Sequence, residues 1–386
     1  MKVQIGSPVE GDDFFGREKA LEYAWSLIKD GNNVILPSPR RVGKTSFALK
    51  ILEYARAEGW ETIDISLEKH TESGFVEVLA KEFIRTSKLQ TLKDSGKKLL
   101  EFISDLNLSA DAGGVKLGFK WQQNQENIYE QLEALMDHDK PTLIFLDEVT
   151  VLLTKMLKED NGLESVTSFL HWMRGTRITK NSKIKWIYCS SVGIENFTHT
   201  HNLSETMNDI PDFELKSFSK EVSVQMLDRL AESYSLPLNQ SIKEAVVDKL
   251  GYCLPFFLQL MFDKIRYLNA VEDKELEPNI VDEAFSLLIE QDHFNTWIER
   301  IEKQYAELGV YAFGLLKQVC QVKEGISRES LYNFLISKIT DPDRADSVLS
   351  KLIYMLKNDG YLIFEQELYL FRSGLLREFW LNRFVK

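Results

Sequence analysis

The sequence predicts an α/β fold in which a parallel sheet carries helices on both faces, followed by an all-α lid and a winged helix-turn-helix domain. Over residues 1–216, apolar runs of strand length alternate with helical patterns, which is typical of parallel sheets. Residues 217–299 have a helical pattern throughout, and residues 300–386 hold three helical runs followed by two short strands. These three ranges are the predicted domains.

Five apolar runs are predicted as strands of the sheet, namely residues 34–36, 62–65, 143–146, 185–189 and 213–215. Helical patterns lie between them. Around residues 106–121, Ala112-Gly113-Gly114-Val115 joins two alternating runs, which predicts an inserted β-hairpin. This hairpin is either an element that contacts a partner or a decoration on the sheet.

The segment after the first strand has the spelling of a phosphate-binding loop. Residues 38–45 read Ser-Pro-Arg-Arg-Val-Gly-Lys-Thr, which fits G-x-x-x-x-G-K-[ST] with Ser38 in place of the first glycine. Backbone N–H groups at a helix N-terminus favour an anion, and Gly43 lets the backbone approach phosphates. Lys44 brings charge to the β- and γ-phosphates, and the Thr45 hydroxyl can complete a Mg²⁺ shell. The alternative is a surface turn that contains these residues by chance.

Two carboxylates follow the strand predicted at residues 143–146. This strand is continuously apolar and ends in Asp147 and Glu148, at the edge where open α/β sheets bind ligands. Asp147 is suited to hold Mg²⁺ through water, and Glu148 is suited to polarise an attacking water. An acidic turn after a core strand is the alternative, and the lysine loop argues against it.

Composition limits the class of protein. A chain of 386 residues with 44% hydrophobic residues is long enough for two or three domains with real cores. Its net charge of −12 argues against unspecific nucleic-acid binding. We expect no membrane span and no secretory signal. Cys189, Cys253 and Cys320 are far apart, which favours reduced core thiols in a cytoplasmic protein. His199 and His201 lie in a stretch predicted as a polar loop, where they are either solvated or bind a metal ion.

A second motif lies near the N-terminus. Residues 14–18, Phe-Phe-Gly-Arg-Glu, precede a helical stretch at 19–29. Together with residues 39–46 and with Leu-Asp-Glu at 146–148, this motif resembles the archaeal-type ATPases, which belong to the AAA+/STAND group of P-loop NTPases. The resemblance extends, at varying strength, over nearly the whole chain. It implies a P-loop NTPase fold, with ATP and Mg²⁺ as cofactors.

The resemblance also implies roles for single residues. In that family the segment around Arg17 lies beside the adenine, so Arg17 or its backbone is expected to frame the base. Arg40 and Arg41 resemble the paired arginines of the family. The alternative for one of them is a structural role. The loop residues expected to bind nucleotide are Ser38, Pro39, Arg40, Arg41, Val42, Gly43, Lys44, Thr45 and Ser46.

Two later segments resemble further landmarks of the family. After the strand at 185–189, Ser191 aligns with the sensor-1 serine and Ser190 replaces a glycine, so Ser191 is expected to act near the γ-phosphate. A serine-rich turn without a role is the alternative. Residues 250–259 are similar to the Gly-Gly-x-Pro segment of the helical lid. Pro255 is then expected to start a helix behind a loop that closes over the nucleotide, although a plain inter-helix turn fits equally well.

Hydrolysis in this superfamily often uses a cation from a neighbouring subunit. Arg174 and Arg177, just before the strand at 185–189, are the candidates for such an arginine finger. A solvated helix end is the alternative for both residues.

Residues 300–386 have the pattern of a winged helix-turn-helix. Helical runs at 311–319, 328–336 and 345–358 precede two strands, 361–364 and 368–371, which we expect to pair across 365–367. The domain holds 13 Lys and Arg against 11 Asp and Glu, a net of +2, so the remaining residues carry −14. This is a weak footprint for DNA, and winged helices also contact proteins.

Three functional hypotheses remain. In the first, the chain is a Mg²⁺-dependent ATPase that acts as a nucleotide-controlled switch on a protein partner or on other copies of itself, with slow turnover when the partner is absent. In the second, it is a DNA-associated AAA+ type ATPase of the replication-initiator, transposition or defence kind, which binds DNA as an ATP-bound oligomer. The third is a nucleotide-binding scaffold without activity, against which the intact Lys44, Thr45, Asp147 and Glu148 argue.

Overall fold

The computed structural model describes residues 1–37, 40–86, 125–137, 140–180, 182–190, 193–291 and 294–386. Two compact units are present. The first unit consists of Met1–Glu18, Ser38–Ser46 and Leu215–Lys386, and the second unit consists of Lys19–Pro37 and Phe47–Glu214. The hairpin predicted at 106–121 lies outside the described residues. The division into three domains stays a prediction.

The second unit is built on a four-stranded parallel sheet with the order β1-β4-β3-β2. The strands are β1 (Val34–Leu36), β2 (Glu61–Ser66), β3 (Thr142–Asp147) and β4 (Ile184–Cys189). Four of the five predicted strands are therefore confirmed. The apolar runs of β1, β3 and β4 are almost fully buried, as expected for strands covered on both faces.

The prediction of a strand at 213–215 was wrong. Asp212 forms a single parallel bridge with Ile35, in which the Phe213 N–H donates to the Ile35 carbonyl at 2.9 Å. Because β1 is only three residues long, the segment pairs with a single residue of it and does not extend into a strand.

Helices connect and cover the strands of the sheet. They are α1 (Glu18–Lys29), α2 (Lys44–Ala57), α3 (Glu72–Thr86), α4 (Gln125–Met136), α5 (Val149–Met156), α6 (Gly162–Ile178) and α7 (Ile194–Thr200). An aromatic cluster holds α3, α4 and α6 together. In it the Tyr129 ring stacks on Trp172 with centroids 4.7 Å apart, and Phe75 meets Phe169 edge to face at 5.6 Å.

The described residues between 220 and 304 are mainly helical, as predicted for 217–299. The helices are α8 (Lys220–Ser233), α9 (Gln240–Leu250), α10 (Pro255–Val271), α11 (Ile280–Ile289) and α12 (Asn295–Gln304). The caps that begin these helices follow from the sequence. The Ser219 hydroxyl accepts a hydrogen bond from the Val222 N–H at 3.3 Å, and Pro255 occupies the first turn of α10.

The C-terminal part contains the predicted three helices and two strands. They are α13 (Gly309–Gln321), α14 (Arg328–Ile336), α15 (Pro342–Asn358), β5 (Leu362–Glu365) and β6 (Leu368–Phe371), followed by α16 (Gly374–Phe384). The strands pair antiparallel, with Glu365 opposite Leu368. The turn is therefore two residues long, Gln366 and Glu367, both with positive φ, and Glu365 lies in the strand rather than in the turn as predicted.

Among the described residues, the helices are all too short or too polar to cross a lipid bilayer.

Candidate functional site

The phosphate-binding loop joins the end of β1 to the start of α2, which is the context that its spelling requires. Lys44 is the first residue of α2 and is only 7% exposed. Gly43 has φ +94°, a conformation that favours glycine. Apart from its two chain neighbours, no described residue has a heavy atom within 4 Å of the position that a Cβ would take. The N–H groups of the first helical turn therefore begin beside an open stretch of backbone. Ser38 and Pro39 lie outside the described residues.

Arg17 supports the loop from within the first unit. One terminal nitrogen of its guanidinium donates to the Val42 carbonyl at 2.9 Å and to the Lys216 carbonyl at 3.0 Å. The Phe218 ring lies 5.0 Å away, and burial lowers the pKa of Arg17 to about 10. The side chain thus contacts the loop backbone, a contact that sequence reasoning missed. Framing of a base by the backbone of this segment stays a prediction.

Two more contacts within the first unit hold the loop. The guanidinium of Arg41 lies 4.2 Å from the centroid of the Phe256 ring, in the first turn of α10, and burial lowers the pKa of Arg41. The Ser46 hydroxyl accepts a hydrogen bond from the Val9 N–H at 2.8 Å. Pro255, which the sequence singled out, therefore places its neighbour Phe256 against a loop arginine.

Arg40 approaches the C-terminal part of the first unit. The pKa of Glu299 is lowered chiefly by its hydrogen bond with Lys303, and the charge of Arg40 adds to this effect. The predicted arginine pair thus divides its contacts, with Arg41 on α10 and Arg40 near α12.

The acidic end of β3 is shaped by its backbone. Glu148 has φ +58°, a left-handed conformation that is uncommon for a residue with a side chain, and it stands immediately before α5. Its N–H donates to the Asp147 carboxylate at 2.9 Å, which stabilises the turn. Such local strain occurs often at functional sites.

Ser190 reaches the Glu148 carboxylate from the neighbouring strand. Leu146 pairs with Tyr188, so Glu148 and Ser190, each two residues further on, lie side by side at the carboxyl end of the sheet. The buried Ser190 hydroxyl donates to Glu148 Oε2 at 3.4 Å, and it also accepts a hydrogen bond from the Thr150 N–H at 3.3 Å and contacts the Thr150 hydroxyl.

Sequence reasoning chose Ser191, to act near the γ-phosphate, and gave Ser190 no role. Ser191 lies outside the described residues, so its role stays a prediction. The residue seen against Glu148 is Ser190. The strand register was the missing information, because a shift of one residue exchanges the faces of the sheet.

Arg177 is buried and forms an ion pair and hydrogen bonds within the second unit. It is 5% exposed, and two of its nitrogens donate to the Asp209 carboxylate at 2.9 and 3.0 Å. Further hydrogen bonds go to the Thr206 carbonyl and the Tyr188 hydroxyl. This geometry is that of a structural ion pair, and it leaves Arg177 poorly placed for a neighbouring subunit. Arg174, half-buried, lies 3.7 Å from Asp209.

The proposed ligands for a metal ion are hard oxygen donors. That Thr45 and Asp147 bind one ion stays a prediction. A hydroxyl and a carboxylate suit Mg²⁺, since this ion usually keeps several waters and takes few protein ligands. In the part of the chain that the structure describes, no group of three His, Cys, Asp or Glu side chains could hold a metal ion. His199 and His201 belong to no such group among those residues.

The parallel sheet, its helices on both faces and the loop between β1 and α2 define an α/β P-loop NTPase fold. The chain is similar to the solved Walker-type ATPase PABY2304 of Pyrococcus abyssi, with 16% identity and a TM-score of 0.64, over 98% of this chain and 99% of that chain. It is also similar to the ORC2 protein of Aeropyrum pernix, solved as ADPNP–ADP complexes, with 12% identity and a TM-score of 0.50, over 95% and 92% of the two chains. At these identities the likeness shows the fold alone. No protein-family model and no curated protein matches the sequence.

Proposed function

We propose that this chain binds ATP with Mg²⁺, hydrolyses it to ADP and phosphate, and acts as a nucleotide-controlled switch on a protein partner. The observation that carries the proposal is the glycine-lysine-threonine loop at the start of α2, combined with the strained Asp147-Glu148 turn that ends β3 of the same parallel sheet. The similar ORC2 protein was solved with nucleotides, which supports a nucleotide as the ligand.

Each residue has a defined role in this proposal. Lys44 and the N–H groups of α2 bind the β- and γ-phosphates. Thr45 and, through water, Asp147 would hold Mg²⁺, which would neutralise phosphate charge. Glu148 accepts a proton from the attacking water. In the same step the water oxygen bonds to the γ-phosphorus, and the bond between the γ-phosphorus and the ADP oxygen breaks. The role of Ser190 is to fix the orientation of the Glu148 carboxylate through its hydrogen bond.

The switch is proposed to operate through the first unit. The loop shares this unit with all helices from α8 onward, and Arg17 and Arg41 join it to Lys216 and to Phe256 of α10. A phosphate bound by the loop would compete for these arginines, and α10 would respond. The partner is a second protein or further copies of this chain, and the predicted ranges 217–299 and 300–386 would be the lid and the winged helix that change position.

The second candidate function is DNA association by an ATP-bound oligomer. It is favoured by the net charge of +2 on residues 300–386, in contrast to −14 on the rest of the chain. Part of the positive charge of residues 300–386 is neutralised, since Arg328 of α14 pairs with Asp346 of α15 at 2.8 Å. A duplex-DNA mobility shift that appears only with ATP and weakens steeply with salt would favour this candidate. Nucleotide-dependent self-association without such a shift, measured by size-exclusion chromatography with light scattering, would favour the protein switch.

Nucleotide binding is tested at Lys44. Lys44→Ala removes the charge that meets the β- and γ-phosphates, so we expect most of the ATP affinity to be lost, on the order of a hundredfold for charge-assisted hydrogen bonds in a closed site. Lys50→Ala, in the same helix but paired with Glu53, is the matched control. Isothermal titration calorimetry with ATP and Mg²⁺ measures both. Equal affinity in Lys44→Ala and wild type would contradict the assignment of the loop.

Hydrolysis is tested at Glu148. Glu148→Gln keeps the shape of the side chain but removes its basicity, so ATP binding should persist while phosphate release falls by roughly two to four orders of magnitude. A colorimetric phosphate assay measures the rate. Undiminished turnover would place the catalytic carboxylate elsewhere and leave nucleotide binding untouched.

A further inference from the structure

The phosphate-binding loop contains an arginine with a strained backbone. Arg41 has φ +68°, a left-handed conformation that is uncommon for a residue with a side chain. Such a conformation persists where surrounding contacts hold it. A cation–π interaction holds the side chain of Arg41, because its guanidinium lies 4.2 Å from the centroid of the Phe256 ring. The backbone of the loop and the first turn of α10 are therefore joined through this side chain.

Phe256 is also the first member of a row of buried aromatic rings within the first unit. The side chains of the row are at most 8% exposed, and they are, in order, Phe256, Phe257, Phe294, Phe379 and Trp380. The centroids of successive rings are 5.9, 5.9, 5.1 and 6.0 Å apart, which is the range of contacting aromatic pairs. Trp380 lies a further 5.9 Å from the ring of Phe371 in β6. The row thus extends from the loop contact to α16 and β6.

Close packing limits how the rings of this row can move. Buried side chains fill their space at about the density of an organic crystal, so one ring shifts only if its neighbours repack. A displacement of Phe256 therefore requires a response from Phe257 and then from Phe294. Because Phe294 contacts Phe379 of α16, the response reaches a helix that is distant from the loop in sequence.

We propose that Phe256 is a positioning residue that competes with the nucleotide phosphates for Arg41, and that the row of rings transmits the release of Arg41 to α16. This inference rests on the proposed ATPase function, since it concerns how the same loop is regulated. A phosphate oxygen carries a full negative charge, whereas an aromatic ring offers a guanidinium only the negative face of its quadrupole. A bound triphosphate therefore attracts Arg41 more strongly than the ring does. Phe256 then loses its cation, and the rings behind it repack.

The affinity for ATP with Mg²⁺ tests the competition. Phe256→Leu removes the ring but keeps an apolar side chain, so we expect ATP to bind about three- to tenfold more tightly, as the loss of one cation–π interaction implies. Phe285→Leu is the matched control, because the Phe285 ring lies 5.0 Å from the ammonium of Lys249, a residue of α9 rather than of the loop. Isothermal titration calorimetry should give this control the affinity of the wild type. Unchanged or weaker binding in Phe256→Leu would overturn the proposal.

The same change in a second background distinguishes positioning from general packing. If Phe256 acts through Arg41, Phe256→Leu should have no further effect on ATP affinity in Arg41→Ala protein. An equal gain in both backgrounds would show that the ring acts independently of Arg41, and would refute the inference while leaving the proposed ATPase function intact. Absence of ATP binding to the wild type would overturn both.

Hydrogen–deuterium exchange tests the transmission in the unmodified chain, so this test does not depend on the folding of a variant. A non-hydrolysable ATP analogue with Mg²⁺ should change the exchange of backbone amides in the first turns of α10 and in α16. The internal control is α14, which contributes no ring to the row and should keep its exchange rates. Mass spectrometry of peptic peptides measures all three helices. A change confined to the loop and α2, or equal changes in α14 and α16, would contradict transmission through the row.

Discussion

At the scale of the residue, the hydrogen bond between Ser190 and Glu148 is the contact that most directly shapes the proposed chemistry. A free carboxylate can rotate away from the attacking water, whereas one held by a buried hydroxyl cannot do so without leaving that hydroxyl less well satisfied. The Thr150 hydroxyl and N–H fix Ser190 in turn. The geometry of Glu148 is therefore set by two side chains that no motif names.

Ser190→Ala tests this arrangement. We expect ATP affinity to stay within about twofold and turnover to fall on the order of tenfold, because a hydrogen bond to a charged group is worth roughly 1.5–3 kcal/mol. Steady-state phosphate release and calorimetry separate the two quantities. Ser168→Ala, at an exposed serine of α6, is the control and should leave both unchanged. A Ser190→Ala enzyme with full activity would mean that the hydroxyl does not orient the base.

The charged residues of the candidate site could be predicted from the sequence, but their supports could not. Lys44 and Asp147 stand in sequence motifs whose residue types are tightly constrained by their chemistry. The strand, loop and helix around them therefore follow from the local pattern. The contact of Arg17 with Lys216 spans 199 positions, and nothing in the local pattern indicates which distant carbonyls a buried arginine will reach. Ser190 required the strand register, which a single sequence does not specify to one residue.

At the scale of the element, the turn before α1 requires a glycine at residue 16. Gly16 has φ +77°, and a Cβ there would lie 2.7 Å from Val222 Cγ1 of α8 and 3.2 Å from the Phe218 ring. Close approach and backbone conformation thus both require glycine at this position. The neighbouring Arg17 can contact the loop only if this turn keeps its shape.

Gly16→Ala should destabilise the protein by about 1–3 kcal/mol, through both backbone strain and the clash with Val222. Urea unfolding followed by circular dichroism measures the change in the free energy of unfolding. Gly11→Ala is the matched control, because Gly11 also has positive φ, +60°, but meets no described atom within 4 Å. It should show the backbone term alone. Equal losses in the two variants would remove the packing argument.

Elements with their own burial pattern were predictable, and elements that depend on a partner were not. The runs of β3 and β4 are largely apolar, and the structure confirms both strands. The run at 213–215 was predicted on the same grounds, yet pairing there is limited by the length of β1 rather than by its own sequence. The two-residue turn between β5 and β6 was also missed, since Gln366 and Glu367 are not residues that usually adopt positive φ.

At the scale of the whole molecule, the cysteines report on the integrity of the fold. Cys189, Cys253 and Cys320 are all buried, and burial raises the pKa of Cys253 and of Cys320. A thiol with a raised pKa holds less of the reactive thiolate at neutral pH.

Ellman's reagent should therefore react slowly with the native protein and rapidly with all three thiols in denaturant. The native rate should increase as the pH rises and more thiolate forms, and the raised pKa values of Cys253 and Cys320 should move this increase to higher pH. A spectrophotometric time course at several pH values measures this. A thiol that reacts within the mixing time in the native protein would contradict the described burial.

The order of the sheet region and the helical regions along the chain was predictable from their sequence patterns. Periodicity distinguishes the sheet region from the helical regions, because it depends on neighbouring residues. It does not reveal that Ser38–Ser46 groups with Leu215–Lys386 in one compact unit, since that grouping depends on contacts between distant stretches.

This discontinuous unit has a practical consequence for anyone who cuts or recombines the gene. A fragment that ends at residue 216 keeps every letter of the glycine-lysine-threonine signature but discards Phe218 and Phe256, the rings on which Arg17 and Arg41 rest. Chimeras that exchange the C-terminal half between related proteins would have to carry residues 38–46 along with it. The glycine-lysine-threonine signature and residues 215–386 would therefore have to be exchanged together, although most of the sheet region separates them in the gene.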